Sequence, residues 1–176
     1  MMFGGGGKLN SNGGIFRFQE QDILATGIGT AQVTPPSSGS VLAGAAIRSM
    51  ALDNARSVLY VAIPSFSGIY RIPVSEINSI TTVTETGMKK YLIQSNGTDV
   101  ILPNDIAGTN EPFHVTQMVV DEEDGCLYFG YRAPATGASE ATGLKRYDPN
   151  TKKVETLIEG VSIYGITLNN KKSKLF

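Results

Sequence analysis

The sequence predicts an all-β fold made of β-propeller blades, about three four-stranded blades, the equivalent of half of a six-bladed ring. The first observation is a repeat that occurs at residues 14–18, 68–72 and 143–147. In each copy a Gly begins a short, mainly apolar run, and the fourth residue is Arg. A second repeat joins an apolar run to the next strand through a polar turn, at residues 50–60, 118–128 and 166–176. Self-similarity of this kind is typical of an array of identical supersecondary units.

The middle repeat shows the strands of one blade in order. Residues 47–52, 58–63 and 69–74 are short runs rich in apolar and β-branched side chains, and residues 53–57 and 64–68 are polar turns. Runs of this length between turn residues indicate strands rather than helices. Residues 81–86, dense in Thr and Val, are predicted to form the fourth strand, and residues 75–79 a single helical turn.

The repeats divide one partial propeller domain, 1–176, into units at 1–45, 46–112 and 113–160. Residues 161–176 are predicted to supply the first strands of a further or closing blade. Because propellers typically need four to eight blades, three blades do not close a ring. Two alternatives remain open: two chains join head to tail as a homodimer with six blades, or the chain is a fragment of a longer polypeptide.

The composition is typical of a globular domain and argues against nucleic acid and membranes as partners. The 176 residues carry 15 basic and 16 acidic side chains, a formal net charge of −1. No basic cluster marks a nucleic-acid surface, and no apolar run has the roughly 20 residues of a membrane span. The single cysteine, Cys126, excludes an internal disulfide and is predicted to be a small buried residue. The N-terminus lacks the order of a signal peptide, which leaves the compartment open.

Several segments resemble known six-bladed propellers. Residues 143–168 resemble a blade junction of the strictosidine-synthase and gluconolactonase-like propellers. Residues 50–77 and 114–130 look like the royal-jelly-protein and yellow family. That second resemblance implies a secreted protein that binds small ligands at its central channel, with no agreed catalytic machinery.

The lactonase-like resemblance implies a divalent cation held over the channel by Glu, Asn and Asp side chains of innermost strands. The family's Pro-Asn-Gly falls at residues 163–165, where Tyr164 stands in place of the Asn ligand. The matching places in the other repeats are Arg48 and Thr116, which do not suit a hard cation. The acidic residues Asp53, Asp121 and 122–124 follow inner strands and are predicted to be solvated turn residues. No metal ligand or cofactor is therefore predicted in this chain.

The remaining candidates point to binding. His114 is the only histidine, and no motif near it supplies the nucleophile and orienting group of a triad. It is predicted to line the channel with the residues at the matching repeat positions, Arg48, Thr116 and Tyr164. Residues 131–142 are predicted to form a protruding loop. We expect a non-catalytic propeller that binds a small molecule or a protein. The alternative is a calcium-dependent lactonase or strictosidine-synthase-like enzyme whose metal site lies partly outside this chain.

Overall fold

The computed structural model describes residues 2–5, 14–17, 40–42, 47–63, 66, 68–80, 83–100, 114–132 and 142–169. Within these residues, twelve strands form four antiparallel sheets. The strands are β1 Met2–Gly5, β2 Gly14–Arg17, β3 Ser40–Val41, β4 Ser49–Asp53, β5 Val58–Ile63, β6 Gly68–Pro73, β7 Gln94–Ser95, β8 Thr98–Asp99, β9 His114–Val120, β10 Leu127–Arg132, β11 Gly143–Asp148 and β12 Lys153–Glu159. The short helices are Val74–Ile77 and Glu85–Met88, followed by a 3-10 turn over Lys89–Tyr91.

The sheets are meanders in which each strand pairs with its neighbour in sequence. Their orders are β1-β2-β3, β4-β5-β6, β9-β10-β11-β12 and the hairpin β7-β8. The all-β blade fold predicted from the repeats is confirmed. No helix among the described residues is long and apolar enough to span a membrane.

The sheets β4–β6 (the second blade) and β9–β12 (the third blade) follow the same register. Tyr60 of β5 pairs with Arg71 of β6, and Tyr128 of β10 pairs with Arg146 of β11. The two arginines are those at the fourth place of the Gly-led repeat. The inner strands β4 and β9 lie beside each other, as the inner strands of neighbouring blades do. The sequence repeat is therefore a repeat of strand pairing.

Strand β5 explains why its sequence is almost wholly apolar. All six of its residues are buried, and alternate side chains enter two different hydrophobic clusters. Leu59, Val61 and Ile63 pack with Ile15 and Leu42, from the part of the chain that holds β1–β3. The intervening side chains pack with residues of the third blade: Val58, Tyr60 and Ala62 against a group that includes Met118, Phe129 and Tyr147. A strand between two layers loses the usual alternation of apolar and polar side chains.

The fourth strand predicted over residues 81–86 is wrong. Glu85–Met88 is helical, and Thr84 caps its N-terminus by accepting a hydrogen bond from the Gly87 N–H at 3.1 Å. Thr favours strands, but its hydroxyl also satisfies the free N–H groups at the start of a helix, and here this second preference decides. The chain returns to the sheet only at Leu92, in a single bridge to Tyr70. The predicted helical turn over 75–79 is confirmed by the helix Val74–Ile77.

The prediction that Asp53 and Asp121 are solvated is also wrong, because they are 0% and 8% exposed. The Asp53 carboxylate accepts hydrogen bonds from the Arg56 backbone N–H at 3.0 Å and from its guanidinium at 3.3 Å. The same guanidinium donates to the backbone carbonyls of Glu122 and Glu123, both at 3.0 Å. This set of contacts, the inter-turn clasp, joins the β4–β5 turn to the β9–β10 turn. The prediction holds for Glu123 and Asp124, which are exposed.

Candidate functional site

The predicted channel-lining residues Arg48 and Thr116 occupy matching places near the start of the inner strands. Arg48 lies just before β4, is exposed, and extends the ladder by donating its backbone N–H to the Ala62 carbonyl at 3.1 Å. Thr116 lies in β9 beside Gln117, which pairs with Gly130, the residue of β10 that corresponds to Ala62. The sequence match that placed these two residues together is therefore reproduced by the strand pairing.

Thr116 differs from Arg48 because β9 contains a β-bulge at this point. Gln117 pairs with Gly130 and Val115 pairs with Tyr131, so Thr116 is the additional residue. A bulge leaves one residue outside the ladder and redirects its side chain. Bulges are common beside functional sites, and this one turns a half-buried hydroxyl toward the segment that follows β12.

The Thr116 hydroxyl donates a hydrogen bond to the backbone carbonyl of Ile163. Gly130 is what permits the close approach of these two residues. A Cβ at Gly130 would lie 2.6 Å from the Thr116 hydroxyl oxygen and 3.0 Å from the Ile163 Cβ. The glycine and the bulge together hold Ile163 against β9 and β10, which places the next residue, Tyr164, beside them.

Tyr164 projects into solvent and is 69% exposed. The guanidinium of Arg132 lies over its ring, with 5.8 Å from Cζ to the ring centroid. Arg132 is the last residue of β10 and pairs with His114, the first residue of β9. The structure thus brings Thr116 and Tyr164 together and places the backbone of His114 beside them. The prediction for the His114 side chain lies outside the described residues.

Sequence reasoning missed Arg132 and Gly130, which together with Thr116, Ile163 and Tyr164 form this corner of the molecule. Neither belongs to a repeat signature, and the contact between Thr116 and Ile163 spans 47 positions of the chain. The protruding loop was predicted over 131–142, but β10 continues to Arg132. Residues 133–141 of that loop lie outside the described residues.

Acidic and sulfur-containing side chains do not assemble into a metal centre in the part of the chain that the structure describes. It contains no group of three or more His, Cys, Asp and Glu residues that could hold a metal ion. Cys126 is buried as predicted, and Arg146 donates a hydrogen bond to its sulfur at 2.8 Å. Burial, together with the nearby Asp124, raises the pKa of the Cys126 thiol to about 12. Cys126 is therefore a protonated thiol at neutral pH and a poor nucleophile.

Comparison with known proteins assigns no family or function to the chain. No family model matches the chain, and no curated protein does. The solved structures similar to it include the extracellular domain of a hybrid two-component system from B. thetaiotaomicron, at 13% identity and TM-score 0.35, covering 92% of this chain and 22% of that one. They also include a propeller-like protein in a nidogen/laminin complex, at 13% identity and TM-score 0.35, covering 94% of this chain and 65% of that one. The chain therefore spans less than two thirds of the length of both.

Proposed function

We propose that the protein is a non-catalytic β-propeller that binds a small molecule or a protein partner at the channel mouth. The observation that carries the proposal is the bond from Thr116 to the Ile163 carbonyl, which holds Tyr164 at the surface beside Arg132. Aromatic rings are usually buried, so an exposed ring whose position is fixed by the fold is unusual. Rings presented in this way are frequent in binding sites.

The chemistry of this corner favours a planar or anionic ligand. Arg132 offers a planar cation and Tyr164 a π-face, and both stack on flat groups. The resemblance to the royal-jelly and yellow proteins adds the expectation of secretion and of a small ligand at the channel. Catalysis by a bound calcium ion is less well supported, since a Tyr stands where the lactonase-like pattern has Asn and the phenol is a poor ligand for that cation.

A six-bladed ring made of two copies belongs to the same proposal. Large apolar side chains on β12 and in the segment after it are exposed, among them Ile158 and Val161. In a propeller, apolar side chains at the edge of one blade are covered by a neighbouring blade. Light scattering tests this directly, because a head-to-tail homodimer has twice the 18.7 kDa mass of the chain. A species that stays at the mass of one chain at all concentrations would contradict the ring of two copies.

The binding proposal is tested by saturation-transfer NMR on the full chain. The probes are a fixed panel of small aromatic carboxylates, phenols and aliphatic amines. We expect aromatic carboxylates to receive saturation from the wild type and to lose it with Tyr164→Ala. Leu157→Ala is the matched control, since Leu157 is exposed but lies on β12 rather than beside Arg132.

Two results would overturn the proposal. One is the absence of saturation transfer to every member of the panel, and the other is equal transfer in the wild type and Tyr164→Ala. A calcium titration separates the alternative: a rise in melting temperature with Ca²⁺ that a chelator reverses would favour the metal-dependent enzyme.

A further inference from the structure

We propose that the cleft between the second and third blades, on the side of their third strands, binds a small organic anion that carries a phosphate group. The cleft has a volume of about 360 Å³. Its lining residues come from β6, from the segment after the helix Glu85–Met88 and from the end of β11 with its turn: Arg71, Lys89, Lys90, Tyr91, Leu92, Ile93, Gln94, Tyr147, Pro149 and Lys152. The inference goes beyond the proposed function, because none of these residues belongs to the channel mouth.

The lining of the cleft is strongly basic. Four of its described residues are cationic, and none of them is acidic. Lys90 is partly neutralised, because its ammonium lies 3.1 Å from the Glu76 carboxylate. Arg71, Lys89 and Lys152 form no ion pair with any described residue. Three positive charges around one cavity attract anions, and the attraction strengthens where the walls exclude water.

Acidic residues near the cleft are engaged elsewhere. Glu76 accepts hydrogen bonds from Lys90 and from the Tyr91 hydroxyl, the latter at 2.7 Å. Asp148 accepts hydrogen bonds from the backbone N–H groups of Asn150 and Thr151. Asp99 accepts a hydrogen bond from the side chain of Gln94, a lining residue, at 2.9 Å. None of these three carboxylates belongs to the lining itself, and none forms an ion pair with Arg71, Lys89 or Lys152.

Arg71 is the deepest of the cations. It is half-buried, and its Nε is buried without a hydrogen-bond partner among the described residues. Burial raises the pKa of the hydroxyls of Tyr60 and Tyr147, and the adjacent Arg71 guanidinium opposes that rise in both. Arg71 is thus near two phenols, it forms no ion pair with a described carboxylate, and its Nε is left without a partner among the described residues. Burying such a donor has a free-energy cost, which a bound anion would offset.

Arg146, the matching arginine of the third blade, is bound by side chains of its own blade. Arg146 lies 3.6 Å from the Asp124 carboxylate and 3.5 Å from that of Glu155, and it also donates to Cys126. In the second blade, the residue that corresponds to Asp124 is Arg56, which is turned into the inter-turn clasp. The second blade therefore has the arginine of the repeat, Arg71, but not the carboxylate that pairs with it in the third blade. An anion held from solution would restore the missing partner.

Phosphate fits this arrangement better than a single carboxylate. The guanidinium fork can donate two parallel hydrogen bonds to phosphate oxygens, while Lys89 and Lys152 act as point charges at the rim. Two tyrosine rings and Ile93 leave room for an apolar or planar group attached to the phosphate. The volume lies at the lower end of small-molecule sites, which selects a ligand the size of a phenyl phosphate or a sugar phosphate.

The test is isothermal titration calorimetry of the full chain at low salt, with phenyl phosphate, inorganic phosphate and phenol as separate probes. We expect phenyl phosphate to bind, inorganic phosphate to bind more weakly, and phenol to give no heat. Arg71→Gln should weaken phenyl phosphate at least about tenfold, the loss expected when a charge-assisted contact is removed. Equal affinity for phenyl phosphate and inorganic phosphate would mean that the cleft recognises only the phosphate ion. That result would overturn the proposal of an organic ligand.

Control variants separate this site from a loss of folding and from the channel mouth. Arg146→Gln removes the matching arginine and should leave the phosphate affinity unchanged. If Arg71→Gln does not fold, the double variant Lys89→Gln/Lys152→Gln tests the same site, because both lysines are exposed. Tyr164→Ala should bind phosphate normally, so failure of the proposed function leaves this test intact. No heat in the wild type, or an unchanged affinity in the double variant, overturns the proposal.

Discussion

The second and third blades share a strand register and differ in what surrounds the same arginine. Arg71 and Arg146 each pair across the sheet with a tyrosine, Tyr60 or Tyr128. Arg146 is held by Asp124 and Glu155, whereas Arg71 faces a cleft. The repeat thus preserves the backbone pairing, and individual substitutions decide whether a repeated side chain is structural or available to a ligand.

The outer edges of the two blades differ as well. The third blade ends in the seven-residue strand β12, whereas among the described residues the outer edge of the second blade is the bridge from Tyr70 to Leu92. The segment between β6 and Leu92 instead forms two short helices and a 3-10 turn. Replacing a full strand by this segment brings Lys89 and Lys90 to the wall of the cleft. The irregular edge therefore creates the space and part of the charge of the proposed anion site.

The largest expected effect separates the central strand β5 from the outer strand β12. Leu59→Ala should lower the free energy of unfolding by about 2–5 kcal/mol, because it leaves a cavity where the side chain is 1% exposed. Leu157→Ala is the matched control on β12, where the side chain is 45% exposed, and should change it by about 0.5 kcal/mol or less. Urea denaturation measures both. Equal losses would mean that β5 is not packed between two layers.

The inter-turn clasp predicts the next effect. Arg56→Ala removes hydrogen bonds to two carbonyls of the third blade and leaves the buried Asp53 carboxylate without its cation. We expect a loss of about 2–3 kcal/mol in the free energy of unfolding, the range for hydrogen bonds to charged groups. Arg56→Lys should recover little, since an ammonium cannot reproduce the fork. Lys153→Ala is an exposed control, and a similar loss in that variant would contradict the clasp.

The comparison of the two arginines is sharpened by changing each to the same residue. Arg146→Gln should lower the free energy of unfolding by about 1–3 kcal/mol, because it breaks two ion pairs that are about a quarter exposed at the arginine. Arg71→Gln, with no ion pair among the described residues, should change it by about 1 kcal/mol or less. Adding phenyl phosphate should stabilise the wild type and not Arg71→Gln. Equal losses in phosphate-free buffer would make Arg71 a structural residue.

How far the sequence predicts this molecule depends on the distance between partners along the chain. The all-β blade fold and most strands of the second and third blades were predicted, since each strand is marked by its own short pattern of glycine, apolar and turn residues. The helix Glu85–Met88 was not, because the β-propensity of the threonines outweighed a capping signal that needs both Thr84 and Gly87. The burial of Asp53 was also missed, since the Arg56 that neutralises it reaches carbonyls 66 and 67 positions away.

The candidate sites show the same limit. Repeat alignment found Arg48, Thr116 and Tyr164, but the bond from Thr116 to Ile163 depends on a bulge that no sequence pattern marked. The anion cleft was within reach of sequence reasoning. Aligning residues 53–60 with 121–128 shows Arg56 in the place of Asp124, so the carboxylate that pairs with Arg146 in the third blade has no counterpart for Arg71 on β6. Only the structure shows that lysines from an irregular edge join it.

The smallest effect at neutral pH concerns Cys126, whose counterpart in the second blade is Val58. Cys126→Val should change the free energy of unfolding at pH 7 by about 1 kcal/mol or less, because both side chains are small and buried. The two proteins should separate in alkali. Burial raises the pKa of the folded thiol from 9.0 to about 12, so the unfolded chain releases the proton first. The wild type therefore loses stability as the pH rises from about 9 to about 12, and the valine variant is spared this loss.

Urea unfolding at a series of pH values measures this difference in stability. The buried tyrosines also titrate in alkali, but they contribute equally to both proteins, so their contribution cancels in the difference. Alkylation by iodoacetamide gives a second readout, since a thiol that stays protonated in the folded state reacts only when the chain opens. Rapid alkylation of the native wild type at pH 8, or parallel pH profiles for the two proteins, would show that Cys126 is accessible. The burial that raises the pKa of the Cys126 thiol would then be wrong, although the ion pairs of Arg146 with Asp124 and Glu155 would remain.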